Sequence, residues 1–389
     1  MPSLCLGHAL KILLIGNYIP DAQESMLRYA ALLHEALAAA GHQVDMLTPR
    51  AVLNRACQPP EGVWKWLGYL DKYLLGAPAL RAAVSRADVM HVCDHSNAVY
   101  VPRSAPLPCV VTCHDLLAVR GGLGEDTDCP ASFFGTHLQK SILSGLRRAD
   151  GIACVSQATL VDAQRLLGSH VERLALVPLA MHHPYSILEE SRARARLLAD
   201  KVPIDLPFIL HVGSNQRRKN RECVIRTLGA LGARWRGNFV FAGKALTAEM
   251  KELAASLGVA DRIIEVVKPS NELLEALYNA TVALLFPSRF EGFGWPILEA
   301  QACGCPVICS DRAPFPEVSG GAAIMRDADD AAGFAEAILE LQQQPERREN
   351  LRHRGLANAA RYSREKMARH FSELYEDLLC LARPTGAVA

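Results

Sequence analysis

The 389-residue sequence has no long apolar run, and this absence is the first limit on its class. No stretch reaches the roughly 18 consecutive apolar residues that a membrane-spanning helix needs. Near the start, the apolar run Ile12–Ile15 leads into Gly-Asn and lacks the cleavage site of a secretory signal peptide. We therefore expect a cytoplasmic protein, with peripheral membrane association left open.

The sequence also lacks an excess of either charge sign. It holds 42 Lys and Arg against 41 Asp and Glu. Residues 1–180 contain 15 of each sign, which leaves 27 of the 42 basic and 26 of the 41 acidic residues for the rest of the chain. Neither half has the basic surplus typical of nucleic-acid-binding domains, so we expect no nucleic-acid partner.

The twelve cysteines include no Cys-x-x-Cys pair. Because they are scattered through a long chain, we expect most of them to be reduced and buried. Cys303, Cys305 and Cys309 lie close together, but CGCPVIC has the pattern of a helix end, a turn and a buried strand. The spacing and the missing second ligand pair predict no zinc site.

The chain is long enough for two domains. Short β-branched or leucine-rich runs alternate with helical patterns, such as Gln23–Ala40 and Ala131–Arg148, which indicates βα units around parallel sheets. We predict an α/β protein with two Rossmann-like doubly wound domains facing across a cleft. The predicted strands are 11–16, 43–47, 88–92, 109–113, 151–155, 174–178, 208–213, 238–242, 262–266, 282–286, 306–309 and 322–325.

A polar, charge-rich segment at 182–206 interrupts the strand and helix rhythm and is the predicted linker. It separates a predicted N-terminal domain, 1–181, from a C-terminal domain, 207–362. Residues 363–389 are predicted to form a helix, which could pack back on the N-terminal domain, and a tail. Ligands of doubly wound sheets bind outside the carboxyl ends of the strands, so the informative residues should follow strands.

The stretch FPSRFEGFGWPILEA follows the predicted strand that ends at Phe286. Pro296 suits the first position of a helix, and Gly292 and Gly294 precede it. Glycines there allow a ligand to approach the backbone, while free N–H groups and the helix dipole favour an anion. The stretch therefore predicts a diphosphate-binding corner.

Glu291 and Glu299 frame this corner and have two interpretations. Both carboxylates could border one ligand pocket. Alternatively, Glu299 complements the helix dipole and Glu291 is a solvated loop residue.

A second loop, HVGSNQRRKNRE, follows the strand that ends at Gly213. Arg217, Arg218 and Lys219 lead into a helix that we predict to be capped by Asn220. Such fixed cations could clamp a phosphate, although the same run alone is typical of a solvated surface turn.

Together these motifs resemble the retaining family-four glycosyltransferases of the GT-B fold (glycosyl transferases group 1). The resemblance lies in RKN, PSxFEGFGxPxLEAxACGxPV, SD and PEV, with GHQVDMLTP and VVTCHDLL in the first half. It implies a metal-independent enzyme without a cofactor, which moves a hexose from a GDP- or UDP-linked nucleotide diphosphate sugar to a glycan or lipid-linked glycan. Mannose is slightly favoured as the hexose.

The resemblance also implies residue roles. Glu299 would accept hydrogen bonds from the ribose hydroxyls, and Arg218 and Lys219 would stabilise the leaving diphosphate. The implied catalytic set is Glu291, Arg218, Lys219 and His114. The implied donor-binding set is Gly213, Asn220, Gly292, Phe293, Gly294, Trp295, Pro296, Ile297 and Glu299.

On the acceptor side, His114 follows the predicted strand that ends at Cys113 and matches the family's histidine near the donor sugar and acceptor. A structural role is the alternative for this histidine. Asp115, Gln23 and Ser25 are the other candidates. The loop Asn17–Met26 departs from the family, because relatives often carry a Gly-Gly pair there, and Trp295 stands where relatives often have leucine or methionine.

Two further segments have competing interpretations. Asp126-Thr127-Asp128 resembles the DxD of metal-dependent enzymes, but it lies in a glycine-rich acidic loop, and we predict no metal there. Val63–Leu80 is predicted as one amphipathic helix with Lys65, Gly68 and Lys72 on one face. Domain packing, acceptor lining and membrane contact are its three interpretations.

Three other functions compete with hexose transfer. A sugar-nucleotide epimerase uses a similar two-domain architecture. A glycoside hydrolase would use Glu291 and Glu299 as a carboxylate pair on opposite sides of the scissile bond. A catalytically inactive binding protein is the third.

Overall fold

The structure, a computed structural model, describes residues 9–54, 62–72, 77–103, 106–203 and 205–382, without the side chains of Lys65 and residues 77–79. It divides into two compact units, Met1–His182 with Ser363–Ala389, and His183–Tyr362. The sequence places its domain limits after residues 181, 206 and 362. Most of the predicted linker therefore lies in the second unit, and the predicted tail after Ala382 lies outside the described residues.

The described residues form two parallel six-stranded sheets, with strand orders β2-β1-β3-β4-β5-β6 and β12-β11-β10-β7-β8-β9. The strands are β1 (Lys11–Ile15), β2 (Gln43–Leu47), β3 (Val89–Val92), β4 (Cys109–Cys113), β5 (Gly151–Cys154), β6 (Arg173–Leu176), β7 (Phe208–Gly213), β8 (Asn238–Gly243), β9 (Ile263–Val267), β10 (Ala283–Phe286), β11 (Val307–Ser310) and β12 (Ile324–Arg326). Each predicted strand is present, which confirms the α/β class.

Helices flank both sheets. They are α1 (Glu24–Ala39), α2 (Gly62–Leu70), α3 (Ala77–Val84), α4 (Leu117–Gly122), α5 (Phe133–Leu146), α6 (Gln157–Leu167), α7 (Glu190–Ala199), α8 (Arg221–Leu231), α9 (Ala248–Ser256), α10 (Asn271–Ala280), α11 (Trp295–Ala302), α12 (Phe315–Val318), α13 (Ala331–Gln343), α14 (Pro345–Ala359) and α15 (Arg364–Ala382). The chain returns to the first unit with α15.

The central strands were readable from sequence because helices cover both faces of each sheet. Every residue of β4 and β10 is buried, so these strands are continuous apolar runs and not alternating patterns. The apolar residues of both units form extended buried cores.

Strand order brings separate loops together at the carboxyl edge of each sheet. In the second unit β7 pairs with β10, so the loops 214–220 and 287–294 are neighbours. In the first unit β3 lies between β1 and β4, so residues 17, 94 and 114 follow adjacent strands. Each edge thereby gathers polar residues that are distant in sequence.

The structure describes part of the segment Val63–Leu80, which the sequence predicts as one helix. It contains α2 and the start of α3, and residues 73–76 between them lie outside the described part. Gly68 faces inward, since a Cβ on it would lie 3.4 Å from Tyr18 Cε1, and Lys72 Nζ donates to Asp21 Oδ2 at 2.9 Å. Trp66 is 58% exposed, so an apolar face points to solvent. Among the described helices, none is both long and apolar enough to cross a membrane.

Candidate functional site

Two cations and a carboxylate join the neighbouring loops of the second unit. Arg218 and Lys219 lie in a short 3-10 helix between β7 and α8. Arg218 Nη1 donates to Glu291 Oε2 and to the Phe290 carbonyl oxygen, at 3.0 Å for the latter. Lys219 Nζ donates to Glu291 Oε1. The loop after β7 is thus tied to the loop after β10.

The charge balance of this cluster favours an anion. Burial alone would raise the pKa of Glu291, whose side chain is 8% exposed, but Arg218 and Lys219 lower that pKa to about 2. The carboxylate is therefore ionised at neutral pH. Two cations against one anion leave a net positive charge on side chains that still reach the surface.

Gly213 shapes the space beside Lys219. A Cβ at Gly213 would lie 3.2 Å from His211 Nε2 and 3.7 Å from Lys219 Cδ. The Lys219 ammonium also lies 5.6 Å from the centre of the Phe286 ring. A Cβ at Gly213 would therefore be tight against His211 but in ordinary contact with the lysine stem, so the glycine mainly keeps the space beside His211 open.

Asn220 corrects one prediction. It stands before α8 in the left-handed region, with φ of 53°, and its side chain does not cap that helix. Instead Nδ2 donates to the carbonyl oxygens of Pro287 (3.2 Å) and Ala328 (2.7 Å). The amide therefore fixes the turn that presents Arg218 and Lys219. A direct role in donor binding stays a prediction.

The glycine-rich corner is built as a helix start. Gly294 precedes α11 with φ of 104°, and a Cβ on it would lie 3.1 Å from Phe315 Cε1. Only glycine suits both demands. Trp295 is the first helical residue, so Pro296 occupies the second position and not the predicted first.

The neighbours of Gly294 are packed against the unit's core. Gly292, Phe293 and Ile297 are buried, and the Phe293 ring meets Tyr362 edge-on at 5.8 Å. The Ile297 N–H donates to the Gly294 carbonyl oxygen at 3.0 Å. The corner is therefore held rigidly in front of α11.

Glu299 lies in α11 and has a different partner from Glu291. Its side chain is buried, and the Tyr278 hydroxyl donates to Oε2 at 2.8 Å. Burial and then the Glu299 charge raise the pKa of Tyr278 well above its usual value, so this hydroxyl stays a donor. Sequence reasoning missed Tyr278, because no spacing links α10 to α11.

Sequence reasoning also missed two buried polar residues behind the cations. His211 donates from Nδ1 to the Leu285 carbonyl oxygen at 3.0 Å, and burial followed by the Arg221 charge lowers its pKa to about 3. Arg221, only 1% exposed, donates from Nη1 to Asn215 Oδ1 and to the Lys244 carbonyl oxygen. The RRKNR run thus combines surface cations with one buried arginine that joins the loops after β7 and β8.

On the first sheet, His114 is neutral and oriented. The Cys93 carbonyl oxygen lies 3.0 Å from Nε2, and because a carbonyl only accepts, Nε2 carries the hydrogen. Burial lowers the pKa of His114, so Nδ1 keeps its lone pair at neutral pH. Within the described part of the chain, Nδ1 makes no hydrogen bond. It is an acceptor suited to a hydroxyl group.

The other acceptor-side candidates lie in the loop after β4 and at the start of α1. Asp115 Oδ1 accepts from the Leu117 N–H at 3.1 Å, at the start of α4. Asn17 Nδ2 donates to Gln23 Oε1 at 2.8 Å and to Asp94 Oδ2 at 2.6 Å, while Ser25 is exposed in the first turn of α1. Gln23 is therefore connected to the buried Asp94, a residue that the sequence did not single out.

Two sequence motifs contain residue types that bind metals, but neither forms a metal site in the described part of the structure. In Asp126-Thr127-Asp128 the threonine is buried and donates from Oγ1 to the Leu117 carbonyl oxygen at 2.9 Å. Cys303, Cys305 and Cys309 are buried free thiols. Among the described residues, no group of three or more His, Cys, Asp or Glu side chains is placed to hold a metal ion.

Two family models match the chain. Residues 26–182 match the model described as Glycosyltransferase Family 4, and residues 199–357 match the model described as Glycosyl transferases group 1. The first match lies entirely within the first structural unit and the second entirely within the second.

Curated relatives and solved structures agree with these matches. The O-antigen chain mannosyltransferase B of Escherichia coli is 29% identical over 59% of this chain and 61% of its own length. The serotype-specific mannosyltransferase WbdA of Escherichia coli is 27% identical over 98% of this chain, which spans 46% of that relative. The sucrose-phosphate synthase of Thermosynechococcus elongatus shares the fold, with a TM-score of 0.75 and 22% identity over 96% of this chain and all of that one.

Proposed function

Because this chain belongs to the GT-B glycosyltransferases with a family 4 domain and a group 1 domain, we propose that it is a retaining hexosyltransferase. Its donor is a nucleotide diphosphate sugar, and its acceptor is a glycan or lipid-linked glycan. The observation that carries this proposal is the pair Arg218 and Lys219, fixed on Glu291 beside the start of α11. The arrangement suits a diphosphate that gains charge as it leaves.

The proposed reaction breaks the bond between the anomeric carbon and the diphosphate oxygen. The bonding electrons go to the diphosphate, and the two fixed cations and the N–H groups at the start of α11 stabilise the added charge. The acceptor hydroxyl forms the new bond to the anomeric carbon on the same face, and its proton passes to the leaving phosphate. Glu299, held by Tyr278, accepts hydrogen bonds from the ribose hydroxyls.

His114 supplies an acceptor-side contact in this proposal. Its Nδ1 lone pair accepts a hydrogen bond from a sugar hydroxyl, while Nε2 is fixed on Cys93. A neutral imidazole orients that hydroxyl without taking its proton permanently. Asn17, Gln23 and Asp94 lie at the same sheet edge and are suited to the acceptor's other hydroxyl groups.

A row of aromatic rings favours a glycan as the acceptor. The rings of Trp66 and Phe134 lie 6.0 Å apart, and those of Phe134 and Phe133 lie 5.6 Å apart. Trp66, Phe133 and Phe134 are 58%, 74% and 69% exposed. Sugar rings pack their apolar faces on such aromatic surfaces. Tyr69 and Lys72 connect the row to Asp21 of the acceptor-side loop.

Mannose is the proposed hexose, because two of the similar proteins are named as mannosyltransferases. The epimerase alternative receives no support from the comparisons. A hydrolase pairing of Glu291 and Glu299 is also disfavoured. The pKa of Glu291, about 2, excludes it as the protonated acid, and both of its oxygens are already bound by Arg218 and Lys219, which disfavours it as the nucleophile. Transfer is therefore the function that the site supports best.

A nucleotide panel followed by a transfer assay tests this proposal. We expect GDP to raise the melting temperature by about 4 °C or more, against smaller effects of UDP and ADP. GDP-mannose with a mannosylated acceptor should then give an elongated product with retained anomeric configuration. Epimerised donor without transfer would support the epimerase, and an inverted product would contradict the retaining mechanism.

A further inference from the structure

A buried chain of hydrogen bonds runs through the first unit to Tyr29, whose ring contacts His114. Tyr375 of α15 contacts His91 of β3, with the hydroxyl 2.5 Å from Nδ1. His91 Nε2 lies 2.7 Å from Thr112 Oγ1 on β4, and Thr112 Oγ1 lies 2.8 Å from the Tyr29 hydroxyl on α1. The Tyr29 ring meets the His114 ring edge-on, at 4.6 Å and 86°.

All four linked side chains are fully buried, so the chain of contacts is well defined. Tyr29, His91, Thr112 and Tyr375 each have less than 1% of their surface exposed. Burying so many polar groups is unfavourable unless each finds a partner, and here each one does. Such a satisfied network favours one side-chain arrangement over its alternatives.

The network consists of neutral groups, and the tautomer of His91 decides which neighbours donate to it. Burial lowers the pKa of His91 to about 3, and burial raises the pKa of Tyr29 and Tyr375 above their usual range. A neutral imidazole has one donor and one acceptor nitrogen. If Tyr375 donates to His91 Nδ1, then Nε2–H donates to Thr112 Oγ1. If His91 carries its hydrogen on Nδ1, then Thr112 donates to Nε2 and the Tyr29 hydroxyl donates to Thr112.

We propose that this network, formed by Tyr375, His91, Thr112 and Tyr29, positions His114 for the acceptor. The Tyr29 ring restricts the plane of the imidazole from one side, and the Cys93 carbonyl fixes Nε2 from another. The Nδ1 lone pair is then held in one direction. The four residues act through His114 and contact no substrate themselves.

The inference also gives α15 a role in the site. Phe371 and Tyr375 of this helix pack on His91, with ring centres 5.0 Å and 5.8 Å away. Since His91 and Tyr375 are 284 residues apart in sequence, only the return of the chain to the first unit completes the network. Loss of the contact between Tyr375 of α15 and His91 should therefore change the environment of the His114 ring.

Histidine-ring NMR spectroscopy tests this placement without any activity assay. The histidine rings of the protein are isotope-labelled. The signals that are present in wild type and absent from His114→Gln are then assigned to His114. We expect Thr112→Val and Tyr375→Phe to shift those signals and to lower the fraction of the Nε2–H tautomer. Ser372→Ala is the matched control, because this α15 hydroxyl binds His42 at 2.8 Å and lies outside the network.

A kinetic arm rests on the proposed transferase function. Thr112→Val and Tyr375→Phe should lower kcat by about 3- to 30-fold and leave the KM for the donor within about twofold, because a small misplacement slows the reaction more than it weakens binding. Unchanged His114 signals in both variants, or equal kinetic effects of Ser372→Ala, would overturn the inference. If the wild-type protein shows no transfer activity, the proposed function is wrong, but the inference about His114 is still tested by the NMR experiment.

Discussion

The carboxyl edges of the two sheets hold their polar groups by different means. At the edge of the second sheet, two cations meet one ionised carboxylate, Glu291, and the contacts are ion pairs. Around His114 on the first sheet, the contacts join neutral imidazoles, hydroxyls and amides, with Asp94 as the buried carboxylate. The same strand topology therefore supports a charged site and a largely neutral one.

The difference matches the chemistry of the two proposed substrates. A departing diphosphate gains negative charge during the reaction, so fixed cations stabilise the transition state more than the ground state. A sugar hydroxyl has no net charge, and it is oriented by acceptors and donors with defined tautomers. Substitutions at the two edges should accordingly affect different steps.

The largest effect is expected when a cation of the second unit is removed. Lys219→Ala should lower kcat by about 100- to 1,000-fold, because one donor to the developing charge is lost. The KM for the donor should change much less. Steady-state kinetics measure both constants.

The matched control for the cation is Arg234→Ala. Arg234 also pairs with a carboxylate, Glu336, but on an exposed surface. Its removal should leave kcat unchanged. If Lys219→Ala and Arg234→Ala have the same kcat, Lys219 does not stabilise the leaving diphosphate.

The next effect concerns nucleotide binding through Glu299. Glu299→Ala removes a buried, charged acceptor, so the Kd of the nucleoside diphosphate should rise by about 10- to 100-fold. Calorimetric titration measures this change. Tyr278→Phe leaves the carboxylate in place and should weaken binding less. Wild-type affinity in Glu299→Ala would contradict the ribose contact.

A smaller effect is expected on the neutral side, at the aromatic row. Trp66→Ala combined with Phe134→Ala should raise the KM for a long glycan acceptor by about tenfold, since each stacking contact contributes on the order of 1 kcal/mol. The KM for a monosaccharide acceptor should not change. Equal KM values for the long glycan, together with lost binding to lipid vesicles, would show instead that the row contacts a membrane.

A last effect, on stability and not on activity, is expected in the pH dependence of unfolding. The folded pKa of Glu291, about 2, lies below its ordinary value of 4.5, so its stabilisation is complete above about pH 4.5 and is lost as the pH falls toward 2. The free energy of unfolding should therefore fall more steeply over this range in wild type than in Glu291→Gln. The extra fall in wild type should reach up to about 3 kcal/mol. Chemical denaturation at several pH values measures the slopes.

The exposed carboxylate of Glu336 provides the comparison for that slope. Glu336→Gln should keep the wild-type pH dependence, because this ion pair lies in solvent. Parallel curves for wild type and Glu291→Gln would show that Arg218 and Lys219 do not hold Glu291 ionised.

The sequence predicted local features well. Buried parallel strands are short apolar runs, so β4 and β10 could be located without any structure. The start of α11 was also predictable, because Gly294, Pro296 and the residues around them have strong positional preferences. These signals depend on neighbours along the chain.

Contacts between distant segments were not predictable. Asn220 looked like a helix cap, but its amide binds carbonyls of Pro287 and Ala328, and no local pattern reports such partners. The RRKNR run taken alone is typical of a solvated surface turn, yet its last residue, Arg221, is buried. The contact between His91 and Tyr375 depends on the path of the whole chain.

The central claim is that Arg218 and Lys219 hold the diphosphate of the donor. Calorimetric titration of the preferred nucleoside diphosphate into wild type and into a variant with both Arg218→Ala and Lys219→Ala tests it most directly. We predict affinity at least about 100-fold weaker in the variant, since two charge-assisted contacts are lost. Equal affinity of wild type and variant for the nucleoside diphosphate would contradict the account.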